Sequence, residues 1–311
     1  YPPGPAGRQD LELTHFDRQL DFNDMGYQRR ASLNEAEWTV ENQQTIADET
    51  SRLRGKIWRL ELQARSNDSG DRLPDVLVLD HTLQFRDGSE VLLDFYRESS
   101  GYNDLISRGN GLVRLPARGQ DYAEYESRRI GRWQFELAGR IFQEGLDGYA
   151  REARAELAFF ASDTLTADGS LSWTDSDDWL IWDQDTLFAR FEREQLTSEV
   201  NLNWFPAPRH EVRVKLQWLA LAAQDARAQR ITAGGDLQPS PDLIEDFTVN
   251  NLGVQIRYRW EFAPQSDFYV VYGRGGFVEL QDDRSDFGEL LDAALSLRDS
   301  DQLLVKVRKR F

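Results

Sequence analysis

The sequence predicts an all-β protein, a transmembrane antiparallel β-barrel of about fourteen strands. Three observations carry the prediction. Apolar and polar residues alternate with a period of two along most of the 311 residues, as they do in strands with one apolar and one polar face. No apolar run approaches the ~18 residues of a membrane-crossing helix; the longest, Trp218 to Ala223, has six. Barrel strands escape that test, because only alternate residues meet lipid. Aromatic residues are plentiful, with 9 Trp, 10 Tyr and 17 Phe, enough to furnish girdles at two membrane interfaces. Residues 1–31 are expected to form a linker and an irregular segment, and residues 32–311 the barrel.

Tyr1 to Gln9 is rich in Pro and Gly and reads as a linker. Asp10 to Arg30 mixes polar and aromatic residues without clean alternation, as a periplasmic or lumenal segment or an irregular first strand would. From Trp38 and Val40 onward the period is persistent. Trp58, Leu60, Leu62 and Ala64 share a face, then Leu77, Leu79, Leu83 and Phe85. Asp87-Gly88 marks a hairpin turn, since Gly readily takes positive φ. Val91, Leu93 and Phe95 return. After an irregular stretch from Ser99 to Gly119, alternation resumes at Ala123 and Tyr125. It continues through Trp133 to Ile141, Ala153 to Phe159, and Leu171 to Trp173. Leu187 to Phe191 and Val200 to Trp204 read as two further strands. The cleanest pair is Val212 to Trp218 and Leu252 to Phe262. Asp267 to Arg274 is apolar on both faces at its middle, and Asp301 to Phe311 ends the set.

An even strand number puts both chain ends on one side, with short turns there and long loops opposite. Counting back from Phe311, Pro264–Ser266 and Pro206–Arg209 fall on the short-turn side. The long Ala222–Asp246 and Phe277–Ser300 fall on the other. Further back the rule breaks. Ser99–Gly119 lands on the short-turn side and the tight Asp87-Gly88 turn on the long-loop side. Either the strand count is wrong between residues 87 and 131, or the long segment folds into the lumen.

The polar face carries charges of both signs. Candidate lumen-lining residues are Arg213, Lys215, Arg257, Arg259, Lys306, Arg308 and Arg310 on the last strands, and Glu124, Glu126, Glu136 and Glu156 nearer the middle. Two accounts stay open: cross-lumen pairing that fills the barrel, or a hydrated pore that sorts solutes by charge. The net charge of −17 argues against a nucleic-acid partner. The absence of Cys excludes disulfides and thiolate metal sites, and suits an exported bacterial protein. The chain starts at Tyr1 with no visible signal peptide, as a mature chain or a piece of a longer one would.

Catalytic and metal motifs are thin. Asp175, Asp177 and Asp178 hint at a Ca²⁺ loop, but Leu180 stands where the turn Gly belongs and Thr186 where the closing Glu belongs. The acidic loop residues, among them Asp236, Asp242, Asp246, Glu289 and Asp292, read as a solvated surface. Of three histidines, His15 lies in the irregular start, His81 on the inferred lipid face and His210 beside a turn. None is placed for a hydrolytic triad, and GxSxG, HExxH and Walker A patterns are missing. Gly273 to Gly276 reads as a strand end rather than a phosphate loop. No enzyme activity, metal or cofactor is expected. Trp179 to Trp182 forms an apolar patch between strands, suited to interfacial anchoring or to a docked partner.

The last strand alternates Leu303, Val305, Val307 and Phe311 against Gln302, Lys306, Arg308 and Arg310. It resembles the closing strand of bacterial outer-membrane β-barrels. The resemblance implies that Leu303, Val305, Val307 and Phe311 are the signal read by the barrel-assembly machinery. Asp21–Arg30 (DFNDMGYQRR), Asn103–Pro116 (NDLISRGNGLVRLP), Arg257–Tyr272 (RYRWEFAPQSDFYVVY) and Leu303–Phe311 (LLVKVRKRF) together look like a bacterial family of outer-membrane barrels of unknown function. Its members often follow a family-nine-type carbohydrate-binding, DOMON-like domain. The resemblance implies a Gram-negative outer-membrane location, with membrane lipid, lipopolysaccharide and the assembly machinery as partners. A carbohydrate-binding domain or another surface or periplasmic protein is a further partner, and no catalytic residue carries over. The functional expectation is a porin-like channel or uptake pore for small hydrophilic solutes, saccharides among them. The alternatives are a non-conducting anchor or scaffold and, third, a barrel hydrolase.

Overall fold

In the computed structural model the long strands pair antiparallel in the order they occur along the chain, giving one large meander sheet, with a separate two-stranded hairpin set into one of its connections. The structure describes residues 6–20, 30–281 and 286–310. In chain order the strands are β1 (Ala6–Phe16), β2 (Leu33–Thr45), β3 (Leu53–Ser66), β4 (Val76–Phe85), β5 (Glu90–Glu98), β6 (Gly101–Asn103), β7 (Val113–Leu115), β8 (Arg118–Glu126), β9 (Trp133–Glu144), β10 (Gly148–Ser162), β11 (Leu165–Gln184), β12 (Leu187–Trp204), β13 (His210–Ile231), β14 (Leu237–Pro239), β15 (Phe247–Ala263), β16 (Ser266–Leu280) and β17 (Ser300–Arg308). A helix, α1 (Phe287–Ala294), sits between the last two. Fourteen strands form the continuous path; β14 adds to β13, and β6 pairs only with β7. Among the described residues the two edges, β1 and β17, are not paired with each other.

Fourteen is also the number expected from sequence, but two differences cancel to give it. Residues 6–16 form a strand with eleven registered pairs from Ala6↔Gln43 to Phe16↔Leu33, where a linker and irregular segment were expected over residues 1–31. Only Leu11 and Leu13 mark its apolar face, too few to signal a strand. Conversely, Leu187 to Trp204 is one strand, not two. Its middle, Arg193 to Ser198, is polar at nearly every position, so the period-two signal lapses while the backbone continues.

That single merged strand restores the side rule, because each extra strand reverses the direction of all those before it. Connections 46–52, 86–89, 127–132, 163–164, 205–209 and 264–265 share one end with both chain termini. Connections 17–32, 67–75, 99–117, 232–246 and 281–299 share the other. Asp87-Gly88 therefore belongs to the short-turn end and Ser99–Gly119 to the long-loop end. At the long-loop end, 145–147 and 185–186 are tight, but β11, β12 and β13 run to 20, 18 and 22 residues and carry their hairpin past the neighbours.

One face of the sheet is apolar and open to its surroundings. Leu11, Trp38, Leu62 and Leu77 are direct cross-strand neighbours. Tyr125–Leu137, Val200–Leu216–Val254 and Ile256–Tyr272–Leu303 continue the belt. It is most exposed at the two edges, Leu11 at 70% and Leu303 at 69%. Aromatic rings gather on this face toward the short-turn end. Trp133 and Phe159 have centroids 4.3 Å apart, and His210 stacks on Trp260 at 5.8 Å.

Helix α1 was not expected within the long Phe277–Ser300 loop. Asp286 caps it, its carboxylate accepting from the Gly288 and Glu289 N–H groups at 2.8 and 3.1 Å. Leu290 and Ala294 pack on Trp218, Ala220 and Leu252 of the apolar face. Asn250 is buried beneath, accepting from the Trp218 indole N–H at 2.9 Å and donating to Leu290 O at 2.6 Å, so its polar atoms are satisfied. Gly276 lies inside β16 rather than at a strand end; a Cβ there would fall 2.4 Å from Leu297, so its bareness lets the helix exit close down.

Candidate functional site: the charged face of the sheet

Alternation sends charged side chains to the face opposite the apolar belt, and the register aligns them. One row of directly opposed residues runs Arg59, Asp80, Asp94, Tyr122, Arg140, Glu152, Thr174, Gln195. Another runs Glu90, Glu126, Glu136, Glu156, Ser170, Glu199, Gln217. Like charges directly opposed repel, and amides and cations intervene. Gln134 Nε2 donates to Glu126 at 2.7 Å, and Gln217 Nε2 donates to Glu199 at 2.6 Å. Arg154 pairs with Glu156 at 2.8 Å, Lys215 with Glu199 at 3.3 Å, and Arg140 with Glu152. A cavity of about 360 Å³ opens on this face, lined by Asp80, Leu92, Asp94, Gln120, Tyr122, Arg140 and Glu152.

The sign of the face changes along the sheet. From β2 to β10 carboxylates dominate; on β13, β15 and β17 arginines do. There Glu211, 6% exposed, pairs with Arg213, with Arg257 at 3.3 Å and with Arg259 at 3.7 Å. Asp267, fully buried, pairs with Arg259 at 2.8 Å and with Arg308. Two carboxylates thus serve four guanidinium groups. Tyr269, opposite Arg259 and Lys306, lies 6.0 Å under the Arg259 guanidinium.

The long-loop end is bridged. β6 and β7 pair as a small hairpin in connection 99–117. Tyr102 N–H donates to Arg72 O at 2.9 Å, and Arg114 N–H donates to Gly235 O at 2.8 Å. The hairpin therefore ties the β3–β4 connection to the β13–β14 connection, skipping the strands between them. Val113 and Leu115 pack on Phe188, with Leu180 and Trp182 around them. Trp179 and Ile181 pack on the other side with Ala189 and Phe191. The apolar run Trp179–Trp182, expected to anchor in lipid or dock a partner, is instead divided between two internal clusters, because β11 extends through it and presents both faces to covering loops.

Asp178 holds the adjacent turn. Its carboxylate accepts from the Leu146, Asp147 and Gly148 N–H groups at 2.7, 3.1 and 3.3 Å and receives a forked contact from Arg190, at 2.6 Å for Nη2. Gly145 takes φ 66°, and a Cβ there would lie 2.2 Å from Asp178. Farther out, Arg230 grips Asp242 at 2.6 and 2.9 Å and holds its carboxyl down at about 2, with the Ser240 hydroxyl adding to the effect.

The residues expected on the polar face fall as follows. Arg213 opposes Arg257, Lys215 opposes Asn201 and Gln255, and Lys306 and Arg308 oppose Tyr269 and Asp267. Glu124 opposes Leu92 and Ala138, while Glu126, Glu136 and Glu156 form one row. Arg310 lies past β17, its N–H donating to the Ser266 hydroxyl at 3.1 Å and its side chain to Gln265. Leu303, Val305 and Val307 share the apolar face, opposite Tyr272, Val270 and Phe268; Phe311 lies outside the described residues. His81 sits on the apolar face between Trp58 and Leu93. His210 bonds the Tyr258 hydroxyl at 2.7 Å, and His15 the Asn34 amide at 2.7 Å. Sequence reasoning passed over Glu211 and Asp267. The signal was present: Glu211 is a lone acid next to Arg213 and faces the alternate arginines Arg257 and Arg259.

Fold and face together define a class, a single antiparallel meander with one exposed apolar face and one ion-paired polar face. Within that class the chain belongs to the family described as a domain of unknown function (DUF5916), whose pattern it matches over residues 6–309. No curated protein matches the chain. Among solved structures, a loop L8 deletion mutant of OmpT, an outer membrane protein of Vibrio cholerae, is 11% identical with a TM-score of 0.32, covering 89% of this chain and 96% of its own. The in-vitro folded trimer form of OmpT is 11% identical with a TM-score of 0.28, covering 90% and 96%. Superpositions this loose carry no argument about fold or function.

Proposed function

We propose that the sheet is the wall of a bacterial outer-membrane β-barrel whose charged face lines a water-filled passage for small hydrophilic solutes. One observation carries the proposal: a continuous apolar face runs across the fourteen strands, open to its surroundings except where α1 covers Trp218, Ala220 and Leu252, and it backs a face of paired charges. In water each exposed large apolar side chain forgoes roughly 1.5–3 kcal/mol of burial; in a bilayer the same face is at rest. Lipid also requires every backbone group to be paired, which a sheet achieves only by closing. The free edges β1 and β17 run antiparallel, as an even count demands, and both turn leucines to the apolar side, so they are compatible closing partners. The short-turn end, with its aromatic belt, then faces the periplasm and the bridged long-loop end faces outward. The bridge favours a second account, a sealed barrel that anchors or displays other components. Planar-bilayer recording of the purified, refolded protein separates the two. Stepwise conductance is expected; its absence from a correctly folded, heat-modifiable sample refutes the passage and leaves the anchor.

A further inference from the structure

We infer that the arginine cluster at the short-turn end of β13, β15 and β17 is a binding site for oxyanions, the carboxylate or phosphate groups of small solutes. The inference rests on the reading above only in that the polar face must meet water. Arg213, Arg257, Arg259 and Arg308 share the carboxylates of Glu211 and Asp267. A guanidinium offers five N–H donors, and two carboxylates cannot saturate four of them. Both acids are nearly fully buried beneath the cluster, while the Arg213, Arg257, Arg259 and Arg308 side chains keep 52, 35, 36 and 58% of their surface open. The acids thus act as a floor that spaces the guanidinium groups, and these part-open groups keep donors that the two carboxylates do not take. Fixed, forked donors suit planar and tetrahedral oxyanions better than a point charge would. Lys306, beside Tyr269 on the same face, adds positive charge, and the Tyr269 ring offers a surface for the non-ionic part of a solute.

The opposing chemistry is part of the site. From β2 to β10 the polar face is acidic, so an anion is repelled there and settles on the basic strands. Discrimination arises from both walls. A neutral sugar of the same size meets neither effect.

The test uses the whole protein in detergent micelles, with inorganic phosphate and trigalacturonate as probes and maltotriose as the neutral control, by titration calorimetry. Saturable binding of both anions, weakening as salt is raised, and none of maltotriose is expected. The R257Q/R259Q variant should lose about tenfold or more in affinity. Glu211→Gln should bind more tightly, because it frees three arginines from a competing acid; a merely structural role for Glu211 could only weaken binding. Heat-modifiable gel mobility checks that each variant is folded. Absence of saturable anion binding to the wild type, or weaker binding in folded Glu211→Gln, overturns the inference. Conductance is recorded separately, so a silent barrel that binds phosphate refutes the passage and keeps the site, and a conducting one that binds no anion does the reverse.

Discussion

Replacing Asp178 by Ala tests how the long-loop end is held together. The substitution takes the acceptor from three backbone N–H groups, those of Leu146, Asp147 and Gly148. It also strips Arg190, only 13% exposed, of its buried partner. Breaking a buried pair by removing one member costs about 3–5 kcal/mol. Arg190 keeps a contact with the exposed Asp147, which places the expected loss at the lower end, about 3 kcal/mol. Arg190→Leu is the informative companion. It leaves Asp178 with its three backbone donors, so it should cost about 1–2 kcal/mol less. Urea unfolding of protein inserted in short-chain phospholipid vesicles, followed by tryptophan fluorescence, measures both. Hydrogen exchange at residues 146–148 should rise in Asp178→Ala and stay low in Arg190→Leu. If Asp178→Ala loses under 1 kcal/mol, or if Arg190→Leu is the more damaging, the account of Asp178 as keystone of this turn is wrong.

Four further outcomes follow from the same geometry. Leu157→Arg on the apolar face should cost about 2–4 kcal/mol in vesicles, whereas Ser170→Arg, between Glu156 and Glu199 on the polar face, should stay within about 0.5 kcal/mol; equal costs would contradict the facing. In intact cells a membrane-impermeant maleimide should label Leu243→Cys, 96% exposed at the long-loop end, but label Ala207→Cys in the 205–209 turn only after the outer membrane is permeabilised; the reverse pattern would invert the topology. The lowered Asp242 carboxyl favours the native loop above its ordinary value of 3.8, and that contribution is lost as pH falls toward about 2; a spin label at Leu243→Cys should therefore gain mobility between those values and show no change from pH 7 to 5. Gly276→Ala forces Leu297 aside, for about 1–3 kcal/mol, and should shift Trp218 emission as α1 lifts; unchanged emission and stability would show that the helix is not seated there.

Much of the sheet was legible because burial on one side leaves a strong period. Val212 to Trp218 and Leu252 to Phe262 alternate without interruption, and the structure pairs Val212–Trp218 with Leu252–Tyr258 residue for residue. Legibility failed where both faces have the same character. The middle of β12 is polar on both sides, and Trp179–Trp182 is apolar on both, because loops cover the strand above the belt. The polar face could be foreseen from alternation alone. Its partnerships could not, since Glu211 reaches Arg257 and Arg259 only through the register of β13 against β15. Asp178 meets Arg190 across a register irregularity between Ser176 and Trp179. Helix α1 was hidden by its brevity: eight residues hold too few turns to stand out from an acidic loop.

The unbroken order of the meander bears on how such a chain assembles. Every pairing on the fourteen-strand path joins neighbours separated by a connection, so each hairpin closes a modest loop whose entropic cost grows only slowly with length. Strands can accrete one after another, each giving the next an edge to grow on. Closing the proposed barrel by joining β1 to β17 would be different, since it would bring together segments from opposite ends of the described chain with no smaller step to precede it. In a series of circular permutants that move this join to other positions, the slow phase of folding should travel with the join.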